Sequence, residues 1–325
     1  MKVNNEMGKY FVPEFPNKIQ IGVQDGYCNL RCPMCLLHSS KNKRDLNTLK
    51  GKMPLENLCK ILDEVKETKL AIIPHKWSEP LMISYFSKCI EAIKNRGMAV
   101  IINTNGLLLT KKLARFLVDI ELDSITFSID AVTKETLKKI RGYDALDKVN
   151  SIVLLMLNTR GNLAFPRIGV SMALGEANKH EKDEFISYWI KYVDVVRVNK
   201  MYTPDMKVKD LVVPEQRVPC ELIYNNMIID YKGDVSMCCL DVLSKTNMGN
   251  VFRDGVKNIW HGKPFSELRY YHETGQYDKI PLCKNCGQWA NYKFEESVID
   301  GVLIRKSPIM TFYNRLDKLT SWKSK

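Results

Sequence analysis

Between Lys18 and Lys200 the chain alternates short β-branched apolar runs with longer stretches whose apolar residues recur at helical spacing. Ile19–Val23, Leu70–Ile73, Met98–Ile102, Ser124–Ile129, Arg167–Ala173 and Val195–Val198 read as strands. Leu55–Thr68 and Leu113–Ile120 read as two of the helices between them. This rhythm implies βα units and a parallel sheet, and six such units curl into an incomplete barrel. In sheets of this kind the chemistry gathers at the C-terminal ends of the strands. Cys28, Ser78-Glu79-Pro80, Asn103, Ser128 with Asp130, Met172, and Asn199-Lys200 arrive where successive apolar runs stop, which predicts one common mouth.

After Pro204 the rhythm is lost, and Pro214 and Pro219 mark a boundary near residues 203–219. Met227–Tyr231, the turn Lys232-Gly233-Asp234 and Val235–Cys238 predict a β-hairpin. Short helices are expected from Asn247 to Trp260 and from Phe265 to His272, followed by a tight knuckle at Cys283-Lys-Asn-Cys286. The pattern divides the chain into an α/β partial barrel over 15–205, a small hairpin-and-helix domain over 215–292, and a basic extension over 293–325 with no clear periodicity.

Composition narrows the class. Hydrophobic residues at 45% and charged residues at 26% exclude a disordered tail protein. No apolar run reaches the ~18–20 residues of a membrane helix, and Met1 to Tyr10 lacks the apolar core of a signal peptide, so a cytoplasmic location is expected. The formal net charge of +12 is spread over helix faces and the C-terminus, without the aromatic interleaving of a nucleic-acid surface. It is read as solubility, or as a match to an anionic substrate.

Cysteine changes the picture most. Ten cysteines without a secretion signal point to metal ligation, catalysis or core packing rather than disulfides. Cys59 and Cys89 stand alone in helical segments and are expected to be small core residues. Cys28-Asn-Leu-Arg-Cys32-Pro-Met-Cys35 places three thiols on the loop after the first strand. Three thiolates on a four-iron cluster leave one iron open to a small molecule; a zinc loop with a distant fourth ligand such as His38 is the alternative. Cys220, Cys238, Cys283 and Cys286 can enclose a second centre completely, as tetrahedral zinc or as a four-cysteine cluster.

The CxxxCxxC loop resembles that of the radical S-adenosylmethionine (SAM) superfamily. That resemblance implies SAM chelated at the open iron of a [4Fe–4S] cluster, and its cleavage to a 5′-deoxyadenosyl radical. It also assigns expected roles. Ser78, Glu79 and Pro80 fall on the family's Gly-Gly-Glu-Pro segment for the SAM amino group, although Trp77 and Ser78 replace its glycines. Asn103 falls on a ribose contact, and Ser128 and Arg141 on the SAM carboxylate contacts. Met34 replaces the usual aromatic residue before the third cysteine.

The spacing Cys220-x12-Gly233-x4-Cys238 with the Cys283–Cys286 knuckle resembles the SPASM and twitch domains that hold auxiliary clusters. Gly287 to Tyr292 adds no further cysteine, so one fully ligated auxiliary [4Fe–4S] cluster, the twitch arrangement, is expected. The match extends through Met248-Gly-Asn-Val251, Asn258-Ile-Trp-His261 and Phe265-Ser-Glu-Leu-Arg269, and is similar to radical SAM dehydrogenases of aminoglycoside pathways.

A closed cluster leaves electron transfer or structural support as its role; if it accepts an electron, the expected reaction is oxidation of a hydroxyl carbon in a sugar or cyclitol, with Glu176, Asp205 or Lys200 as conceivable bases. Epimerisation through Cys239, the spare thiol beside that cluster, and peptide modification are competing outcomes. A zinc-stapled adaptor is the non-catalytic alternative. An electron donor such as a flavodoxin or ferredoxin is the implied partner.

Overall fold

The computed structural model describes residues 10–39, 46–203 and 207–323. Six parallel strands lie side by side in chain order: β1 (Lys18–Ile21), β2 (Ala71–Ile73), β3 (Ala99–Thr104), β4 (Ser124–Ser128), β5 (Arg167–Leu174) and β6 (Val195–Lys200). Their observed bounds shift by no more than two residues from the apolar runs that predict them. Ile19, Ile72, Val100, Ile125, Val170 and Val196 are fully buried, as expected of β-branched residues in a sheet covered by helices.

The crossover segments include α1 (Leu55–Val65), α2 (Phe86–Lys94), α3 (Lys111–Asp119), α4 (Lys134–Arg141), α5 (Leu146–Arg160) and α6 (Lys182–Trp189). α1 buries Leu58, Ile61, Leu62 and Val65, one stripe at helical spacing. Thr110 and Thr133 start α3 and α4 by accepting the backbone N–H groups of Leu113 and Thr136. Cys89 lies fully in the core, whereas Cys59 is only half-buried. Met172, expected at the mouth, belongs to the buried interior of β5.

Both edges of the barrel sheet are extended. β7 (Asn226–Ile229), the first strand of the expected hairpin, runs parallel to β1 with Ile19 opposite Met227, and β8 (Val235–Ser236) pairs antiparallel with β7. On the far side, β9 (Glu295–Ile299), β10 (Val302–Lys306) and β11 (Met310–Arg315) form an antiparallel meander. β11 pairs antiparallel with β6, from Met310 opposite Asn199 to Asn314 opposite Val195. The C-terminal segment therefore joins one eleven-stranded sheet. α7 (Lys263–Glu273) occupies the stretch where the Phe265–His272 helix is expected. No helix among the described residues is long and apolar enough to cross a membrane.

Candidate active site

A cavity of about 540 Å³ opens at the C-terminal ends of the strands. Cys28, Cys32, Cys35, Ser78, Glu79, Asn103, Ser128 and Arg141 all line it, so the mouth predicted from the strand ends exists. Pro80 does not line it; buried at the start of a 3-10 turn, it fixes the segment that carries Glu79.

Each side chain is held by identifiable contacts. Glu79 is buried, and its carboxylate accepts from the Leu81 N–H at 3.1 Å, the Asn105 N–H at 2.9 Å and the Thr104 hydroxyl. Burial pushes its pKa up, while these donors pull in the opposite direction. The Glu79 N–H donates to the Tyr27 carbonyl at 2.9 Å, and Asn105 Nδ2 donates to Asn29 Oδ1 at 2.8 Å. These bonds pin the cysteine loop to the ends of β2 and β3.

Arg141 pairs with Asp130, Nε to Oδ2 at 2.6 Å. Burial works against its charge, but Asp130 and the Cys32 sulfur more than offset that effect. Gly142 ends α4 at φ +78°, and a Cβ there would meet the Pro33 ring at 3.2 Å. A glycine thus lets the end of α4 approach the cysteine loop.

The loop fits a cluster by its donor set. Backbone N–H groups of Leu30 and His38 donate to the sulfurs of Cys28 and Cys35 at 3.4 and 3.2 Å. Burial raises Cys28 to about 11, so iron binding would have to draw off its proton. The Ser78 hydroxyl is buried in the wall without a partner among the described residues. His38, the alternative zinc ligand, turns Nε2 to the Trp77 carbonyl at 2.9 Å. Among the described residues no three His, Cys, Asp or Glu side chains converge on a position for a single metal ion.

Cys220, Cys238, Cys283 and Cys286 line one small separate cavity. The Gln288 N–H donates to Cys286 Sγ at 3.3 Å, and Arg217 donates to the Cys283 carbonyl at 2.7 Å while its guanidinium stacks 3.8 Å above Tyr277. Burial raises all four thiols, Cys283 to about 12. Cys239, the next residue in the chain, faces the large cavity instead. Leu240 and Gln288 line both cavities and form the partition between them.

Of the conceivable bases, Lys200 lines the large cavity; Glu176 is exposed and paired with Lys179 at 2.8 Å; Asp205 lies outside the described residues. Sequence reading missed His75, Arg197, Tyr202 and Gln288, which also line the cavity. His75 follows β2 directly, and its Nε2 accepts the Asn103 N–H at 3.0 Å; burial lowers it to about 4, which keeps it neutral. Arg197 sits two residues before Asn199 on β6, a period-two signal that was available in the sequence. Ile309 and Met310 of the C-terminal segment close the wall beside them.

A parallel partial barrel with three thiols and a buried carboxylate at its mouth, and four more thiols beside it, is the arrangement that the resemblance to the radical SAM superfamily implies. Comparison with known proteins agrees. Residues 26–155 match the radical SAM superfamily, and residues 220–287 match the SPASM iron–sulfur cluster-binding domain. The chain thus carries a radical SAM domain and a SPASM domain. Its cofactors are accordingly SAM with a [4Fe–4S] cluster, and auxiliary iron–sulfur in the second domain.

The chain is 28% identical over 194 residues to a tungsten-containing aldehyde ferredoxin oxidoreductase cofactor-modifying protein of Pyrococcus furiosus, covering 57% of this chain and 52% of that one. It thus spans about half the length of that relative. Over 67 residues it is 33% identical to the S-adenosyl-L-methionine-dependent 2-deoxy-scyllo-inosamine dehydrogenase of Niallia circulans, covering 21% and 27% of the two chains. The fold is shared with crystallised BtrN bound to AdoMet and 2-DOIA (TM-score 0.55, 20% identity, 86% and 94% covered). It is shared also with Streptococcus suis SuiB bound to the precursor peptide SuiA (TM-score 0.65, 16% identity, 86% and 71% covered).

Proposed function

We propose that this chain is a radical SAM dehydrogenase that oxidises a hydroxyl carbon of a sugar or cyclitol to a ketone. The observation that carries the reading is the partition. Four cysteines, enough to ligate a cluster fully, line one small cavity, and among the described residues Leu240 and Gln288 line both it and the barrel cavity. When bound, SAM and its cluster supply a 5′-deoxyadenosyl radical that takes one hydrogen atom, and a single auxiliary [4Fe–4S] cluster supplies an acceptor for the second electron. The hydroxyl proton leaves to a base, which balances the loss of two electrons and two protons.

The chain's own residues bind and orient. Cys28, Cys32 and Cys35 hold the first cluster, and Cys220, Cys238, Cys283 and Cys286 the second. Ser78 and Glu79 receive the SAM ammonium, Asn103 the ribose, and Ser128 and Arg141 the carboxylate. Asp130 fixes Arg141, and His75 fixes the Asn103 backbone. Met34, Trp77, Met201 and Met310 give the cavity wall its apolar surface. Trp77 Nε1 donates to the Cys239 carbonyl at 3.2 Å and ties the SAM-binding segment to the SPASM domain. Reduction of the first cluster falls to a flavodoxin or ferredoxin.

Anaerobic reconstitution tests the cofactor count. Wild type should hold about eight irons, and the Cys28/Cys32/Cys35 triple alanine variant about four. Four in the wild type and none in the variant would remove the electron acceptor and with it the dehydrogenase. A second reading, radical epimerisation, is favoured by one observation, the Cys239 thiol at the wall of the barrel cavity. C239A separates the two: turnover that persists, with a ketone product and no solvent hydrogen in it, eliminates the epimerase.

A further inference from the structure

Charge in the barrel cavity does not balance. Among the described residues, four cationic side chains, Lys76, Arg141, Arg197 and Lys200, line it against one carboxylate, Glu79. Asp130 neutralises Arg141, and Asp25 lies 4.0 Å from Lys76. Arg197 and Lys200 are left over. SAM supplies no spare anion, because its one carboxylate is accompanied by an ammonium and a sulfonium and is assigned to Ser128 and Arg141.

Arg197 is the more telling of the two. Its Nη2 donates to Asn103 Oδ1 at 3.1 Å, but its Nε is buried and finds no acceptor among the described residues. A guanidinium with a buried, unpaired N–H and no carboxylate partner is costly unless a ligand completes it. Burial accordingly pulls its proton affinity down, with distant Asp130 the opposing influence. Two residues on, and therefore on the same face of β6, Asn199 Oδ1 is also buried and accepts nothing among the described residues. A strong donor and an unused acceptor thus stand together, next to the residue expected to hold the SAM ribose.

We propose that the substrate carries an anionic group, carboxylate or phosphate, bound by the Arg197 guanidinium with Lys200 on the same wall, and a neighbouring hydroxyl that donates to Asn199 Oδ1. Arg-to-oxyanion bonding supplies planar recognition that neutral sugars cannot match. The substrate class narrows to sugar acids or sugar phosphates, oxidised at a carbon near the anion. The inference deepens the dehydrogenase reading, and it rests on the barrel cavity being the substrate site.

The test is calorimetric titration of the reconstituted holoenzyme with SAM bound and its cluster oxidised, so that nothing turns over. The probes are inorganic phosphate, D-glucuronate, D-glucose 6-phosphate and D-glucose. At least one anionic sugar should bind about tenfold or more tighter than glucose, and its identity distinguishes carboxylate from phosphate. R197Q should erase that ratio, R197K should restore part of it, and K200Q should lower it about threefold. SAM affinity, measured separately, should move less than the sugar affinity in each variant. Equal binding of glucose and the anions, no anion binding, or a loss confined to SAM affinity would overturn the assignment. K200Q lies at the cavity rim and keeps the test open if R197Q does not fold. A product that is not a ketone would sink the dehydrogenase and leave this binding result standing.

Discussion

Glu79 shows how one side chain carries both fold and chemistry. Replacing it by alanine strands the Asn105 N–H and the Thr104 hydroxyl in the interior, a loss of about 2–4 kcal/mol in unfolding free energy. E79Q keeps one acceptor oxygen but turns its NH2 toward donors on the other side, so it should be destabilised as well, by less than the alanine variant. Its SAM affinity should also fall about tenfold or more, because the charge facing the ammonium is gone. Calorimetric melting and SAM titration of both variants check the split.

Asp25 yields a prediction of a different kind. Burial raises it from 3.8 to about 6, partly opposed by Lys76 and reinforced by Asp230. Between those values the folded chain binds more protons there than the unfolded chain, so its contribution to stability falls as pH rises. The loss across that window is on the order of 3 kcal/mol. His75 and His272, both lowered to about 4 by burial, slope the other way. The measurement is therefore the difference between wild type and D25N in urea unfolding at pH 4 and pH 6.5. D25N should gain on wild type as pH rises.

At the scale of elements, the barrel strands were legible because each is a short run rich in β-branched residues, with at least one face buried, bounded by polar residues. The same rule hid the C-terminal meander. All five residues of β9 are exposed, Val298 and Ile299 more than half so, and no buried face imposes a period. Edge strands of this kind are specified by their neighbour rather than by their own pattern. The cluster ligands were legible for a related reason: a thiol set is written as spacing within one loop or knuckle. Arg197 and His75 act through tertiary placement, and neither belongs to a motif.

Joints between elements show the same dependence on neighbours. Arg160 at the end of α5 is buried against Asp194, which leads into β6 and accepts the Ile168 N–H of β5 at 2.7 Å. R160L removes one partner and leaves a carboxylate in the interior. A destabilisation of about 3–5 kcal/mol is expected, read by chemical denaturation of the reconstituted protein.

For the whole molecule, the two flanks complete what the barrel leaves open. Ser307 and Asn291 are hydrogen-bonded to each other at 2.5 Å, and Tyr202 is bonded to Gln288, so SPASM domain, barrel and meander meet around one cavity. Removing residues 293–325 would bare the paired edge of β6 and take Ile309 and Met310 from the wall. Such a chain should self-associate through the exposed edge, visible as oligomers in size-exclusion chromatography with light scattering.

The arrangement of the cavity wall has a consequence for descent. The residues assigned to SAM come from β1 to β4 and the loops and helix that follow them, whereas Lys200, Cys239, Gln288, Ile309 and Met310 come from β6 and the added strands and helices on either side. On the assignments proposed above, radical generation and substrate choice are written in different stretches of the gene. On that reading, substitutions in the second stretch would alter which substrate is accepted while leaving the groups assigned to SAM and its cluster untouched.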